Sequence, residues 1–287
     1  MLVTGKGGVG KSLVAAATAK KLASQGKRVL LAEIGDKSFY KYWFNREIGY
    51  SAQEVGPNLW VCRWQGEECL KEYIAHLIKV EKIVDLFFDN KVMTALIQAA
   101  PALKELAILG KLTSGVRGIG PKLPYDLIII DCYSTGHFKS LLLAPRGMKE
   151  AIPFGPMGEQ CRSIEETLRD PQITSIWVVT LPEELPVNET LELNAFLTDE
   201  MQLQPSTVLN RLYPEILRES QIELGIERSQ DESSFVGFLA SKLAEQFEAR
   251  KNLKPNLTLE VPFIPLVDPQ ELVEKVSNHL EISWPLF

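Results

Sequence analysis

Residues 5–12 read GKGGVGKS, and this stretch decides how the rest of the chain is interpreted. It matches G-x-x-x-x-G-K-[ST], the pattern of a glycine-rich loop that cradles phosphate groups between a strand and a helix. Met1–Thr4 is predicted to end a short strand. The stretch SLVAAATAKKLASQG, which follows Lys11, has helical periodicity and ends at Gly26, a glycine suited to a helix C-terminus. This context predicts that the loop binds phosphate.

The residue types in the loop suit that chemistry. Three glycines, Gly7, Gly8 and Gly10, allow backbone conformations in which successive N–H groups point at an anion from a helix N-terminus. Lys11 is expected to neutralise the β- and γ-phosphates, and the Ser12 hydroxyl is expected to hold magnesium. The predicted phosphate-binding residues are Gly5, Lys6, Gly7, Gly8, Val9, Gly10, Lys11, Ser12 and Leu13.

A second lysine, Lys6, stands at the front of the loop. Its position is poorly suited to the phosphoryl group held by the same chain. In a two-fold dimer packed loop to loop, Lys6 could instead reach the nucleotide of the neighbour, as an arginine finger does in trans. The alternative is a solvated surface lysine.

The remaining pattern predicts an α/β fold with a doubly wound, mostly parallel sheet. RVLLAEI completes a strand–helix–strand unit with the loop, and YDLIIID is a buried strand that ends in a carboxylate. Further strands are predicted at 176–182, 206–211 and 257–265, and helices at 189–197, 235–251 and 269–280.

We predict one domain over residues 1–287, with a helical insertion at about 67–120. A second helical segment is considered at about 140–170, although Pro145, Pro153 and Pro156 are expected to interrupt helices there. Pro101 is expected to break the helices of the first insertion.

Composition narrows the range of partners. The formal net charge of −6 and pI near 5.3 argue against nucleic acid as a partner. The four cysteines have no C-x-x-C or Cys/His spacing, so a zinc site is not expected. No apolar run approaches the roughly 20 residues of a spanning helix, and a cytoplasmic protein is expected.

Several motifs together carry a family resemblance. The run K-G-G-V-G-K-S, with Lys6 as its first lysine, is similar to the deviant Walker A pattern of the ParA/MinD and ArsA ATPases. IIIDCYSTGHFKSLLLAP, at 128–145, resembles a segment of the arsenite-pump ATPase ArsA and of the ATPases that deliver tail-anchored membrane proteins. Further matches are Asp170-Pro171, the TLPEELPVNET stretch at 180–190, Asn210-Arg211 and VPFIP at 261–265.

The resemblance implies site residues beyond the loop. It implies that Asp131 is the Walker B carboxylate, which holds magnesium through water, and that Gly136 senses the γ-phosphate. Asn210, beside Arg211, is implied to read adenine, and a loop containing Pro262 and Phe263 is implied to flank the base. The implied ligands are ATP or ADP and Mg²⁺.

The same resemblance implies a partner and an activity. The partner is a second ArsA-like subunit, identical or paralogous, with a protein client or membrane component as a further partner. We therefore expect a magnesium-dependent ATPase that works at a nucleotide-sandwich dimer interface. The alternative is a nucleotide-dependent interaction or regulatory module with little turnover. A ParA-like DNA partner or MinD-like membrane partner is the third reading, and the acidic charge weakens it.

Two departures from the family pattern bear on activity. Where the family has S-T-D-P-A, whose aspartate orients the attacking water, this chain has EIGDK, with Gly35 in that register. Hydrolysis is then either slow or dependent on Asp36 or Glu33. The zinc C-x-x-C of the targeting ATPases is absent from the sequence, and Cys161 is considered as a soft-metal ligand.

Overall fold

The computed structural model of the protein describes residues 1–78, 101–120, 123–151, 154–216, 222, 235–265 and 268–282. Its described strands form one sheet in the order β3–β4–β2–β5–β1–β6–β7–β8, parallel except for β3, which runs antiparallel to β4. The strands are β1 (Leu2–Gly5), β2 (Val29–Ile34), β3 (Gln53–Gly56), β4 (Leu59–Trp64), β5 (Leu127–Ser134), β6 (Ile176–Thr180), β7 (Pro205–Leu212) and β8 (Leu257–Pro262). The predicted fold class is confirmed.

Helices cover both faces of this sheet. They are α1 (Lys11–Ser24), α2 (Tyr40–Phe44), α3 (Gly66–Ile78), α4 (Pro101–Arg117), α5 (Thr135–Ala151), α6 (Gly155–Arg169), α7 (Glu184–Ala195), α8 (Phe235–Leu253) and α9 (Pro269–His279). A widened helical turn, Phe196–Glu200, continues α7. Helices α1, α2 and α9 pack together on one face, and α3–α6 pack together on the other. Each face therefore has its own apolar core against the sheet.

The strand order brings the phosphate loop and the acidic residue of β5 to the same edge of the sheet. Strands β1 and β2, which flank α1 in sequence, are separated in the sheet by β5, which pairs with both. Since all three strands are parallel, their carboxyl ends meet at one edge of the sheet, where ligands of such folds bind. The loop after β1 and the acidic residue near the end of β5 are thus neighbours.

Three short elements, β3, β4 and α2, were not expected from the sequence. Strand β4 lies beside β2 in parallel register, and β3 adds an antiparallel edge through a tight turn at Asn58, whose φ is +60°. The sequence signal is weak because β3 spans only four residues and half of its pattern is polar. Helix α2 spans five residues, too few for periodicity to show.

One expectation about proline is wrong. Pro145 lies inside α5, which continues from Thr135 to Ala151. Proline removes one helical N–H donor, and here the burial of its ring offsets that loss. Pro156 lies in the first turn of α6, where no N–H is needed. Pro153 lies outside the described residues.

The predicted insertion at 67–120 contains α3 and α4, which pack on each other, with α4 also against α5 and α6. Residues 79–100 of the insertion lie outside the described part, and Pro101 begins α4. Within the part of the chain that the structure describes, we find no helix long and apolar enough to cross a membrane.

Candidate functional site

The glycine-rich loop turns from β1 into α1. Gly8 and Gly10 have φ of +86° and +93°, a region that side chains disfavour. A Cβ at Gly10 would lie 2.3 Å from Nδ2 of Asn210, and one at Gly5 would lie 2.1 Å from the carbonyl oxygen of Val179. The backbone at Val179 therefore requires glycine at position 5, and the positive φ and the buried Asn210 side chain favour glycine at position 10, even before a ligand is considered.

Lys11 begins α1 and reaches back over the loop. Its Nζ donates a hydrogen bond of 2.9 Å to the carbonyl oxygen of Lys6. Burial lowers the pKa of Lys11, and the nearby Asp131 carboxylate opposes that shift. The helix starts with no acidic residue in its first turn and no side-chain cap among the described residues. Its free N–H groups and the lysine together favour an anion.

Asp131 lies on β5 beside the loop. In the sheet it pairs with Val3 of β1, and it is only 4% exposed. The phenol of Tyr40 donates to its Oδ2 at 3.1 Å and lies 3.3 Å from the carbonyl oxygen of Ser12. Its other oxygen, Oδ1, has no hydrogen-bond partner among the described residues. Sequence reasoning placed Asp131 correctly near the loop but missed Tyr40.

Burial dominates the electrostatics of this carboxyl. It raises the pKa of Asp131 to about 6, against interactions with the Ser12 hydroxyl, the Lys11 ammonium and Tyr40 that lower the pKa. The charge of Glu33 raises it further. A buried carboxylate oxygen without a partner, close to the Ser12 hydroxyl, is the hard oxygen chemistry that Mg²⁺ prefers. The residues present fit that ion.

Glu33 and Asp36 lie at different places around this edge. Glu33 pairs with Asp131 across β2 and β5 and is buried. Asp36 is exposed after β2, and its Oδ1 accepts from Nε2 of Gln65 at 3.1 Å. The structure therefore brings Glu33, rather than Asp36, against the predicted metal carboxylate.

Lys6 does not extend freely into solvent. Its Nζ contacts Oε1 of Glu189, on α7 of the same chain, and both side chains are about one-third exposed, at 32% and 37%. Lys6 is therefore a partly exposed lysine with an acidic partner in its own chain, and both the dimer role and the surface role stay open. Glu189 belongs to the TLPEELPVNET stretch noted in the sequence, but the pairing itself had no sequence signal.

Asn210, which is predicted to contact adenine, makes hydrogen bonds within the protein. The Asn210 side chain is buried, and its Nδ2 donates to the carbonyl oxygen of Val9 in the loop at 2.8 Å. Its Oδ1 accepts from the backbone N–H of Arg211 at 2.9 Å. Asn210 thus braces the phosphate loop from β7, which the sequence did not indicate. Each polar atom retains capacity for one further hydrogen bond.

Two aromatic rings pack together after the ends of β7 and β8. Phe263 directly follows β8, which ends at Pro262, and its ring centroid is 5.4 Å from that of Tyr213. The Phe263 side chain is 42% exposed. Gly136 lies apart from this group, exposed in the first turn of α5 directly after β5. The predicted site residues therefore line one edge of the sheet.

The cysteines are buried thiols. Among the described residues, no group of three or more His, Cys, Asp or Glu side chains could hold a metal ion. Cys161 lies fully buried in α6, and burial raises its pKa. All four cysteines are free: Cys62, Cys69, Cys132 and Cys161. A protonated, enclosed thiol is a poor soft-metal ligand, so nothing in the described structure supports the soft-metal alternative.

This arrangement defines a P-loop nucleotide-binding protein: a glycine-rich turn between β1 and α1, with a buried carboxylate on the adjacent strand of a parallel sheet. The family of anion-transporting ATPases called ArsA matches residues 1–154, which is more than half of the chain. The chain belongs to this ArsA family of ATPases, and the resemblance noted in the sequence is confirmed.

Individual relatives support the same family assignment. ATPase BagA of Mycobacterium tuberculosis is 30% identical over 252 residues, which cover 81% of this chain and 71% of that protein. A putative arsenical pump-driving ATPase of Halobacterium salinarum is 29% identical over 233 residues, 75% of this chain and 36% of that protein. An arsenical pump-driving ATPase of Escherichia coli is 32% identical over 164 residues, 56% of this chain and 28% of that protein. The matched parts thus make up about a third of the length of these two pump-driving relatives.

Proposed function

We propose that this protein is a cytoplasmic, magnesium-dependent ATPase that hydrolyses ATP at the interface of a dimer. Hydrolysis is coupled to movement of the helices α3–α6, which handle a protein client or a membrane component. The observation that carries the proposal is the position of Lys11, whose ammonium lies over the loop at 2.9 Å from the Lys6 carbonyl oxygen. A lysine held there meets the phosphates of a nucleotide bound to the loop.

Each site residue has a proposed task. The N–H groups of 7–12 and the Lys11 ammonium bind the phosphates. The Ser12 hydroxyl and the Asp131 carboxylate hold Mg²⁺, directly or through water, and the bound cation neutralises charge on the transferring phosphoryl group. Gly136, at the start of α5, senses the γ-phosphate and passes the change to that helix.

The base is proposed to bind between Asn210 and the 262–265 loop. The exposed side chain of Phe263 supports stacking, and the remaining hydrogen-bonding capacity of Asn210 supports an adenine contact. Arg211 is exposed next to this position, with φ of +61°. The remaining predicted loop residues, Gly5, Val9 and Leu13, support the loop through backbone and apolar packing.

The position of Lys6 is the reason for proposing a second subunit. Its ammonium is at the front of the loop, where a symmetric neighbour could approach, and charge developing on the neighbour's nucleotide would attract it. One subunit would then lack a complete site. The partner is proposed to be a second copy or an ArsA-like paralogue.

A different observation, at Gly35 and Asp36, favours a second candidate function. Gly35 stands where a water-orienting aspartate is expected, and the side chain of Asp36 is turned to Gln65. A nucleotide-dependent interaction module with almost no turnover would tolerate this arrangement. Turnover that Asp36→Asn abolishes would instead restore Asp36 as the catalytic group.

The test is ATP turnover per site as a function of protein concentration, with magnesium, for wild type and Lys6→Ala. We expect the specific rate to rise with concentration, and Lys6→Ala to remove that rise. Lys21→Ala, a lysine on α1 away from the loop, serves as the matched control. Absent turnover with intact ATP binding would favour the interaction module, and absent binding would contradict both.

A further inference from the structure

We propose that Glu33 is a second carboxylate of the magnesium site, so that this protein holds the cation between acidic side chains of two adjacent strands. The inference rests on the proposed function, because it concerns the same metal–nucleotide site. It assigns to Glu33 a role in metal binding beyond the water-orienting alternative that the sequence raised.

The first argument is placement. Glu33 on β2 and Asp131 on β5 are register partners in a parallel pair. Side chains of paired residues project to the same face of a sheet, from strands about 4.8 Å apart. Leu31 and Ile129, two residues earlier on each strand, belong to the core on the α1 face. Both carboxyls therefore project to the face that carries Ser12.

The second argument is that one oxygen of each buried carboxyl has no hydrogen-bond partner among the described residues. Glu33 and Asp131 are each 4% exposed. One oxygen of each has a donor: the backbone N–H of Phe39 for Oε1 of Glu33, at 2.9 Å, and the Tyr40 phenol for Oδ2 of Asp131. The other oxygens, Oε2 of Glu33 and Oδ1 of Asp131, have no hydrogen-bond partner among the described residues. Buried acceptors without partners are costly, and two on neighbouring strands suit a shared cation.

Local structure accounts for only part of the Glu33 carboxyl. The charge of Arg63 and the Ser38 hydroxyl also act on it, yet its Oε2 has no hydrogen-bond partner among the described residues. Holding the N–H of Phe39 needs one acceptor oxygen, which a neutral amide would supply. A glutamate adds repulsion between two buried carboxylates, because Glu33 and Asp131 are register partners on adjacent strands. The Lys11 ammonium gives its hydrogen bond to the loop carbonyl of Lys6. A divalent cation resolves the repulsion and satisfies both free oxygens.

The same geometry ties the cation to α2. The carboxyl of Glu33 holds the backbone at Phe39, directly before α2, and Tyr40 within α2 holds Asp131. Metal binding at these two carboxyls would therefore hold the start of α2 against the site. The exposed side chains of Phe39 and Tyr42 lie on this segment.

The experiment measures how tightly Mn²⁺, which replaces Mg²⁺ as a spectroscopic probe, binds to the ADP complex of the full chain. The electron paramagnetic resonance signal of free Mn²⁺ reports the unbound fraction. We expect Glu33→Gln to weaken Mn²⁺ binding by about tenfold or more, with ADP affinity in a chelator unchanged. The matched control is Glu165→Gln, which alters another buried glutamate, on α6 and paired with Lys149 at 3.4 Å. This control should bind Mn²⁺ as wild type does.

A measurement on wild type keeps the inference testable if Glu33→Gln does not fold. Metal-induced infrared difference spectra are compared after labelling with ¹³C-glutamate or ¹³C-aspartate. Shifted carboxylate bands in both labelled samples are expected, and bands from aspartate alone would overturn the inference. Unchanged Mn²⁺ affinity in a folded Glu33→Gln variant would also overturn it, while the ATPase proposal stands. A wild type that binds neither ADP nor Mn²⁺ would overturn both.

Discussion

The ammonium group of Lys6 is paired with the carboxylate of Glu189 in its own chain. These residues are 183 positions apart in the sequence, and α7 brings Glu189 to the front of the phosphate loop. If Lys6 serves a neighbouring subunit, this contact must open first. Glu189 then competes with the neighbour's nucleotide for the lysine.

Replacing Glu189 by Gln should therefore favour the active dimer. Both side chains are about one-third exposed, so losing the ion pair should change the free energy of unfolding by less than about 1 kcal/mol. We expect half-maximal ATP turnover at a lower protein concentration than in wild type. The double variant Lys6→Ala/Glu189→Gln should behave as Lys6→Ala does. A shift to higher concentration would mean that Glu189 supports the dimer instead.

The buried carboxyl of Asp131 should make the stability of the nucleotide-free protein depend on pH. Burial raises its pKa from 3.8 to about 6, so between these values the folded state binds more protons than the unfolded chain. Its contribution to the free energy of unfolding therefore falls as pH rises through this range. Asp131→Asn keeps an oxygen for the Tyr40 phenol and removes the charge. We expect it to stabilise the protein on the order of 2 kcal/mol at about pH 8.

Urea unfolding without nucleotide, at about pH 8 and about pH 4, measures this effect. Most of the gain from Asp131→Asn should be lost at the lower pH, where the wild-type carboxyl is protonated in the folded state and close to half protonated in the unfolded chain. An equal gain at both pH values would contradict the electrostatic cause. The same variant should lose magnesium-dependent nucleotide binding, which separates stability from function at this position.

Asn210→Ala tests the bracing of the loop. It removes the donor to the Val9 carbonyl oxygen and leaves that buried backbone group without its partner. We expect affinity for inorganic triphosphate to fall roughly tenfold, for about 1.4 kcal/mol, and affinity for ATP to fall further, because the proposed adenine contact is lost as well. Asn194→Ala, which removes another buried amide, bonded to Thr207 at 3.1 Å, is the matched control. A loss confined to ATP would show that Asn210 acts on adenine alone.

Lys111 anchors the layer of α3–α6 to the sheet. Its Nζ lies 2.7 Å from Oε2 of Glu72 and 3.9 Å from the centroid of the Tyr50 ring, and the Tyr50 phenol donates to the same carboxylate oxygen. Lys111→Met keeps most of the aliphatic stem and removes the charge. We expect the free energy of unfolding to fall by about 1–2 kcal/mol.

Thermal or urea unfolding at neutral pH measures that loss. Lys251→Met is the comparison, because Lys251 makes an exposed ion pair with Glu248 at 3.8 Å and should change stability by less than about 0.5 kcal/mol. If Lys111→Met were as stable as this control, desolvation of Lys111 would have cancelled its attraction to Glu72.

The sequence predicted best where the signal is local. The glycines and lysine of 5–12 act within one turn of chain, so their spacing indicates strand, loop and helix before any packing is known. The long apolar runs of β5 and β7 were predicted for the same reason. Helix α2 and strand β3 were missed because each is too short to repeat a pattern, and Pro145 was misjudged because burial outweighed its helix-breaking tendency.

Sequence by itself determined the family, the phosphate loop and the acidic residue near the end of β5, since motif spacing and residue chemistry carry that information. Only the tertiary structure decided which residues act together. The Lys6–Glu189 pair, the Asn210 brace on Val9 and the apposition of Glu33 with Asp131 depend on strand order and helix placement. Such contacts join residues far apart along the chain, and their energies depend on distance and burial, which no local pattern encodes.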